Sequence, residues 1–105
     1  VSVHSKVWGS EVWFANNSLY CGKILNFNKG HQSSLHFHKI KDETFYLLSG
    51  KIDFQIEKKT FPLSTRESIR IKPGVVHRFF AISDAQIVEV STIISFIYFL
   101  ILIIV

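Results

Sequence analysis

Two histidines, His36 and His38, stand two residues apart in an apolar, aromatic stretch, and a glutamate, Glu43, follows five positions on. From Gly30 to Gly50 the chain reads GHQSSLHFHKIKDETFYLLSG. On a β-strand, period two puts both imidazoles on one face, roughly 6.5–7 Å apart along the strand. Neighbouring imidazoles can bracket one ion, and a carboxylate adds a harder oxygen donor; such a set suits Zn, Mn, Fe, Co, Ni or Cu. The same residues also read as hydrogen-bonded core groups, and a bare His-x-His carries little weight alone. Further on, Pro73-Gly74-Val75-Val76-His77 offers a third imidazole. Three His and one Glu leave one or two positions open on a five- or six-coordinate ion, the mark of a substrate-binding metal rather than a closed structural one.

Short apolar runs separated by turn signals must position these groups. The expected strands are 11–15, 20–26, 34–38, 44–48, 51–57, 60–63, 68–71, 77–82 and 86–90. The run 51–57 reads as the hairpin partner of 44–48, joined through Ser49-Gly50. Eight or nine short, closely spaced strands indicate an antiparallel sandwich or barrel. Alternation turns His36 and His38 one way and Leu35 and Phe37 the other; Glu43, Phe45 and Leu47 share a face, as do His77, Phe79 and Ala81. If these faces turn inward, three imidazoles and a carboxylate converge inside the barrel.

Composition agrees with this class. The 105 residues suffice for one domain with a modest core. Ten Phe, three Tyr and two Trp, with many Val, Ile and Thr, favour strands over helices. The formal charge of +4 is compatible with an anionic small ligand, and the basic residues are scattered, so nucleic acid is not an expected partner. Cys21 is the only cysteine; it reads as a small buried hydrophobe and fits a reducing, cytoplasmic setting. The chain opens at Val1 without a secretory signal and contains no Met, which points to a missing start.

The end of the chain departs from the rest. Residues 1–92 are expected to form the barrel domain, and 93–105 (IISFIYFLILIIV) an apolar tail. The tail is shorter than the roughly 20 residues that span a bilayer, so a membrane partner is not expected. It reads as an extra strand covering the barrel or a dimer contact, a truncated anchor, or the aberrant end of a frameshifted gene.

The stretch from Gly30 to Gly50 resembles the first cupin motif, G(x)5HxH(x)3-4E(x)6G, in full, through Gly30, His36, His38, Glu43 and Gly50. The second motif, G(x)5PxG(x)2H(x)3N, is matched in part by Pro73, Gly74 and His77. Here Pro and Gly are adjacent, Arg66-Glu67 stands in place of the usual Gly-Asp, and Ala81 replaces the final Asn. None of these departures removes a metal ligand. The resemblance covers roughly Val7 to Thr92 and implies an all-β, antiparallel cupin jelly-roll barrel. It also implies metal ligation by His36, His38, Glu43 and His77, and, since cupins are often dimers, a homodimer.

Within that superfamily the chain looks like small bacterial cupins grouped with the mannose-6-phosphate and lyxose isomerases. Fold does not fix function, and three classes stay open. The first is an aldose–ketose isomerase for a sugar or sugar phosphate, with Mn or Zn as its metal, or Fe, Co or Ni. There the metal would hold the carbonyl and hydroxyl oxygens and stabilise an enediolate. The others are an Fe-dependent dioxygenase-type cupin and a non-enzymatic small-ligand-binding cupin. An isomerase needs a base with a pKa near the working pH. With Glu43 taken as a ligand, the candidate catalytic residues are Glu89 and Lys23, each with a plainer reading as a surface charge. Arg78 is expected to face solvent or an interface, Lys41 and Asp42 to lie in a solvated turn, and His4 and His31 to be exposed. Trp8 and Trp13 are expected to pack at the outer sheet or a dimer contact.

Overall fold

A computed structural model describes residues 1–92; the expected tail at 93–105 lies outside the described residues. Nine strands follow one another: β1 (Ser2–Lys6), β2 (Gly9–Asn16), β3 (Tyr20–Phe27), β4 (Glu43–Ser49), β5 (Ile52–Ile56), β6 (Lys59–Leu63), β7 (Ser68–Ile71), β8 (His77–Ala81) and β9 (Ala85–Thr92). A six-stranded sheet runs β1-β2-β3-β9-β4-β7, and a three-stranded sheet runs β6-β5-β8. Every pairing is antiparallel. This is the all-β jelly-roll barrel the sequence implied. No helix among the described residues is long and apolar enough to cross a membrane.

Three local expectations are corrected. The strand β1 was not among the expected runs; its polar residues Ser2, His4, Ser5 and Lys6 carry no apolar alternation. The segments 44–48 and 51–57 do not form a hairpin. Both edges of β4 are taken, by β7 and β9, and β5 pairs with β6 and β8 in the other sheet. Gly50 is therefore the corner where the chain changes sheets. It holds φ at 91°, and a Cβ there would lie 2.3 Å from the Asp84 carbonyl oxygen, so only glycine fits.

The third correction concerns the His-x-His segment, which is not a regular strand. It follows β8 through isolated bridges, Gln32 with Phe80 and His36 with His77, whose registers differ by one residue. Ser33 breaks the ladder between them. Its hydroxyl accepts the Phe79 N–H at 3.0 Å, so a side chain does what a backbone carbonyl would do in a regular pair. Alternation nonetheless survives around the histidines: His36 and His38 are half-buried while Leu35 and Phe37 are exposed.

Inward-facing residues form layers. Read in the same direction, β3 gives Cys21, Lys23, Leu25, Phe27, and its partner β9 gives Ser91, Glu89, Ile87, Ala85. Beside β9, β4 gives Glu43, Phe45, Leu47, and across the barrel β8 gives His77, Phe79, Ala81. Each strand is polar at one end of its inner face and apolar at the other. The apolar end is the core, where Phe54 stacks on Phe79 at 4.6 Å and Phe45 meets Phe79 edge-on at 4.8 Å.

Candidate metal centre

The strand ends carry the polar residues to one place. Glu43, the first residue of β4, and His77, the first of β8, are 3% and 1% exposed. The His77 ring packs 5.9 Å from Phe45 and 6.2 Å from Phe54, so the aromatic core is its floor. His36 is brought over it by paired backbone bonds: the N–H of each residue donates to the carbonyl of the other, at 3.2 and 2.9 Å. The ring centroids are 4.5 Å apart. His38 is fixed from the second motif, since the Gly74 N–H donates to its carbonyl at 2.6 Å. Gly74 holds φ at 88°, which explains the glycine in that turn.

The ring nitrogens are already sorted. His36 and His77 place Nδ1 2.9 and 3.0 Å from the carbonyls of Ser34 and Val75. A neutral ring donating through Nδ1 leaves Nε2 as a lone-pair donor, the arrangement seen in metal-ligating histidines. Glu43 Oε1 lies 3.4 Å from His77 Nε2 and 3.7 Å from His38 Nε2. Glu43 Oε1 and His77 Nε2 are both buried and have no hydrogen-bond partner among the described residues. Two such orphans side by side are costly unless something sits between them.

A divalent ion is one group that would satisfy both. Donors each about 2.1 Å from one ion stand roughly 3.0–3.4 Å apart, which the Glu43–His77 pair meets and the His38 ring misses by a small closing movement. Among the described residues, no group of three or more His, Cys, Asp or Glu side chains already stands in metal-holding geometry. The donor types, the sorted tautomers and the paired orphans fit the ion nonetheless.

Charge is concentrated around this point. Burial, and then the nearby Glu89 carboxylate, push the Glu43 carboxyl up to about 7. Burial, followed by the Lys41 ammonium, pushes His38 down to about 4, and burial lowers His77 too. Lys41 does not lie in a solvated turn. Its Nζ is 3.3 Å from Glu89 Oε2 and 3.7 Å from Glu43 Oε2, and the side chain is 18% exposed. Burial acts to lower its pKa, but the two carboxylates outweigh that and the net shift is upward. Alternation run backwards from Glu43 would have found it, because residues 41, 43 and 45 share a face. Asp42, between them, points away and takes Arg70 in a two-pronged pair at 3.1 and 2.6 Å.

The two residues expected to act as bases fare differently. Glu89 is buried, accepts the Ser91 hydroxyl at 3.0 Å, and lines a cavity of about 220 Å³ together with His36 and His77. Lys23 is turned toward Glu11, 3.7 Å away, and its Nζ lies 4.7 Å from the Trp13 ring centroid. Three further expectations are corrected. Arg78 is not free in solvent; its Nε donates to the Ser33 carbonyl at 3.1 Å and pins the bulged segment. Trp8 and Trp13 do not sit on an outer face. Trp8 stacks on core Phe27 at 4.1 Å, and Trp13 donates through Nε1 to Glu11 at 2.8 Å. His4 is half-buried and stacks on Trp13 at 3.9 Å, whereas His31 is exposed as expected.

An antiparallel jelly-roll barrel with histidine and glutamate donors gathered at one end of its interior defines a class, and sequence comparison places the chain in it. The cupin domain family profile matches residues 23–94, and the chain belongs to the cupin family. Among curated proteins, the polyketide synthase CurC of Streptomyces cyaneus is 28% identical over 57 residues, 54% of this chain. The match spans only 37% of that relative's length. Among solved structures, an RmlC-like cupin from Shewanella frigidimarina aligns with a TM-score of 0.80 at 15% identity, covering 87% of this chain and 82% of its own. KdgF from Halomonas sp. aligns with a TM-score of 0.75 at 17% identity, covering 79% and 76%. These structures share the fold.

Proposed function

We propose that this cupin binds one divalent transition metal through His36, His38, Glu43 and His77 and shifts a proton within a small sugar, as an aldose–ketose isomerase. The observation that carries the reading is Glu89: a buried carboxylate on the wall of the cavity that the histidines line, held by Lys41 at 3.3 Å. Proton transfer between neighbouring carbons needs such a group, positioned but not consumed as a ligand.

An ion held by His36, His38, Glu43 and His77, Mn or Zn in the first instance, would supply a Lewis acid for the carbonyl oxygen of the sugar. The chain's own residues do the rest. Glu89 accepts the proton from one carbon and returns it to the next. Lys41 and the Ser91 hydroxyl orient the Glu89 carboxylate, at 3.3 and 3.0 Å. Phe27, Phe45 and Phe79 wall the cavity and exclude water from the transfer. Lys23 is turned to Glu11 and the Trp13 indole and does not line the cavity, so it has no part in this step.

Metal analysis of the purified protein, followed by a sugar and sugar-phosphate interconversion screen in that metal, tests the reading. The expected result is Mn- or Zn-dependent isomerisation that Glu89→Gln reduces by about 100-fold or more, with metal content unchanged. Iron with oxygen uptake and no sugar interconversion would overturn it.

A further inference from the structure

The inner face of the large sheet, with the segment that leads into β4, carries three lysines and three glutamates, and they are not equally matched. Lys41 is 3.3 Å from Glu89, and Lys23 is 3.7 Å from Glu11. Glu11 also accepts the Trp13 indole N–H at 2.8 Å. Among the described residues Lys6 has only the other Glu11 oxygen, at 3.9 Å, and its side chain is 42% exposed. A contact so long and so exposed holds little energy, and Lys6 is the cation of the three that remains available. Lys6 also lines the cavity, which Lys23 and Lys41 do not.

We propose that the ligand of this cavity is an anion, a small sugar bearing a phosphate or a carboxylate, and that Lys6 receives its charged group. The inference rests on the metal-site reading above. Metal-ligating histidines are neutral, so a divalent ion held by Glu43 leaves one positive charge at the histidine side of the cavity. Lys6 adds another at the far side. Glu89 and Glu11 are already matched by Lys41 and Lys23. A cavity with surplus positive charge at both sides selects a ligand that carries negative charge. The volume of about 220 Å³ admits only a small molecule. One that reaches His36 and His77 therefore has Lys6 on the lining of the same cavity.

The test is calorimetric titration of the metal-loaded protein with three matched probes: a hexose, its 6-phosphate and the corresponding uronate. Metal content is measured on the same samples. At least one anion is expected to bind about tenfold tighter than the hexose, as a charge-assisted contact implies. Lys6→Gln should reduce that preference to about threefold or less, Lys6→Arg should keep it, and both should take up metal as the parent does. Phosphate ahead of uronate, or the reverse, identifies the charged group, and either order supports the proposal. A hexose that binds as tightly as both anions overturns it. So does a preference that survives Lys6→Gln, or metal uptake with no binding of any probe. Failure to take up metal sinks the underlying reading and this inference together, which separates that case from the others.

Discussion

At one end of the barrel, Phe54 and Phe79 stack at 4.6 Å, the first fully buried and the second 3% exposed. At the other end, one inward position along β8 for His77 and at the start of β4 for Glu43, both residues are buried just as deeply, yet two of their polar atoms have no hydrogen-bond partner among the described residues. Burial is equal and satisfaction is not. The aromatic end gains from exclusion of water; the polar end loses by it until something completes the site. One set of strands thus holds a region that stabilises the fold and a region that the fold keeps under electrostatic tension. Substitutions at the two ends should separate stability from ligand binding.

The largest expected effect is at the aromatic end. Phe54→Ala should cost about 3–5 kcal/mol, read as a fall in the urea midpoint. A cost well under that would show that the core does not depend on this stack. At the polar end, His36→Ala should reduce Mn or Zn affinity on the order of 100-fold. Its metal-free stability should change by no more than about 1 kcal/mol, and unfolding in chelator alongside metal titration checks both.

A pH experiment separates the ends further. With metal removed, the Glu43 carboxyl titrates near 7 in the fold, above its usual 4.5. The folded state then holds its proton more tightly, so this group's contribution is fully present below pH 4.5 and is lost as pH rises through 7. Its size is on the order of 3 kcal/mol. His38 runs the other way: with its folded value near 4, its contribution is present above 6.5 and is lost as pH falls toward 4. Glu43→Gln should therefore remove the decline between pH 5 and 7 in chelator and leave the acid limb. An unchanged profile would show that Glu43 is not the group responsible. The smallest effect is expected at the join. Arg78→Gln frees the Ser33 carbonyl and should cost about 1 kcal/mol, with a several-fold loss of metal affinity as the His36 segment loosens.

The sequence was informative where geometry is local. Period two is a property of the extended backbone, so the inward facing of Glu43, Phe45 and Leu47, and of His77, Phe79 and Ala81, could be read directly. The resemblance to the second cupin motif implied that His77 joins His36, Glu43 and His38. What could not be read was pairing, because alternation names a face but no neighbour. Hence Gly50 looked like a hairpin turn and proved to be a corner between sheets. The Ser33 bulge was hidden for a related reason: serine's competition with the ladder shows only when the Phe79 N–H is beside it. Lys41 was missed because a charged run was read as a turn by composition, although its parity with Glu43 was available. Glu89 was found but not placed; only the β4–β9 register puts it next to Phe45, one layer below Glu43.

The bridge between His36 and His77 joins segments far apart in the chain, and between them lie four strands that divide between both sheets. His77 cannot join the other donors until those strands have found their places, and non-local pairings of this kind form slowly. The site is thus a late event in folding. In a refolding experiment, uptake of a metal such as Co²⁺ should lag behind burial of Trp8 on Phe27, so the ion becomes a clock for the final closure of the chain.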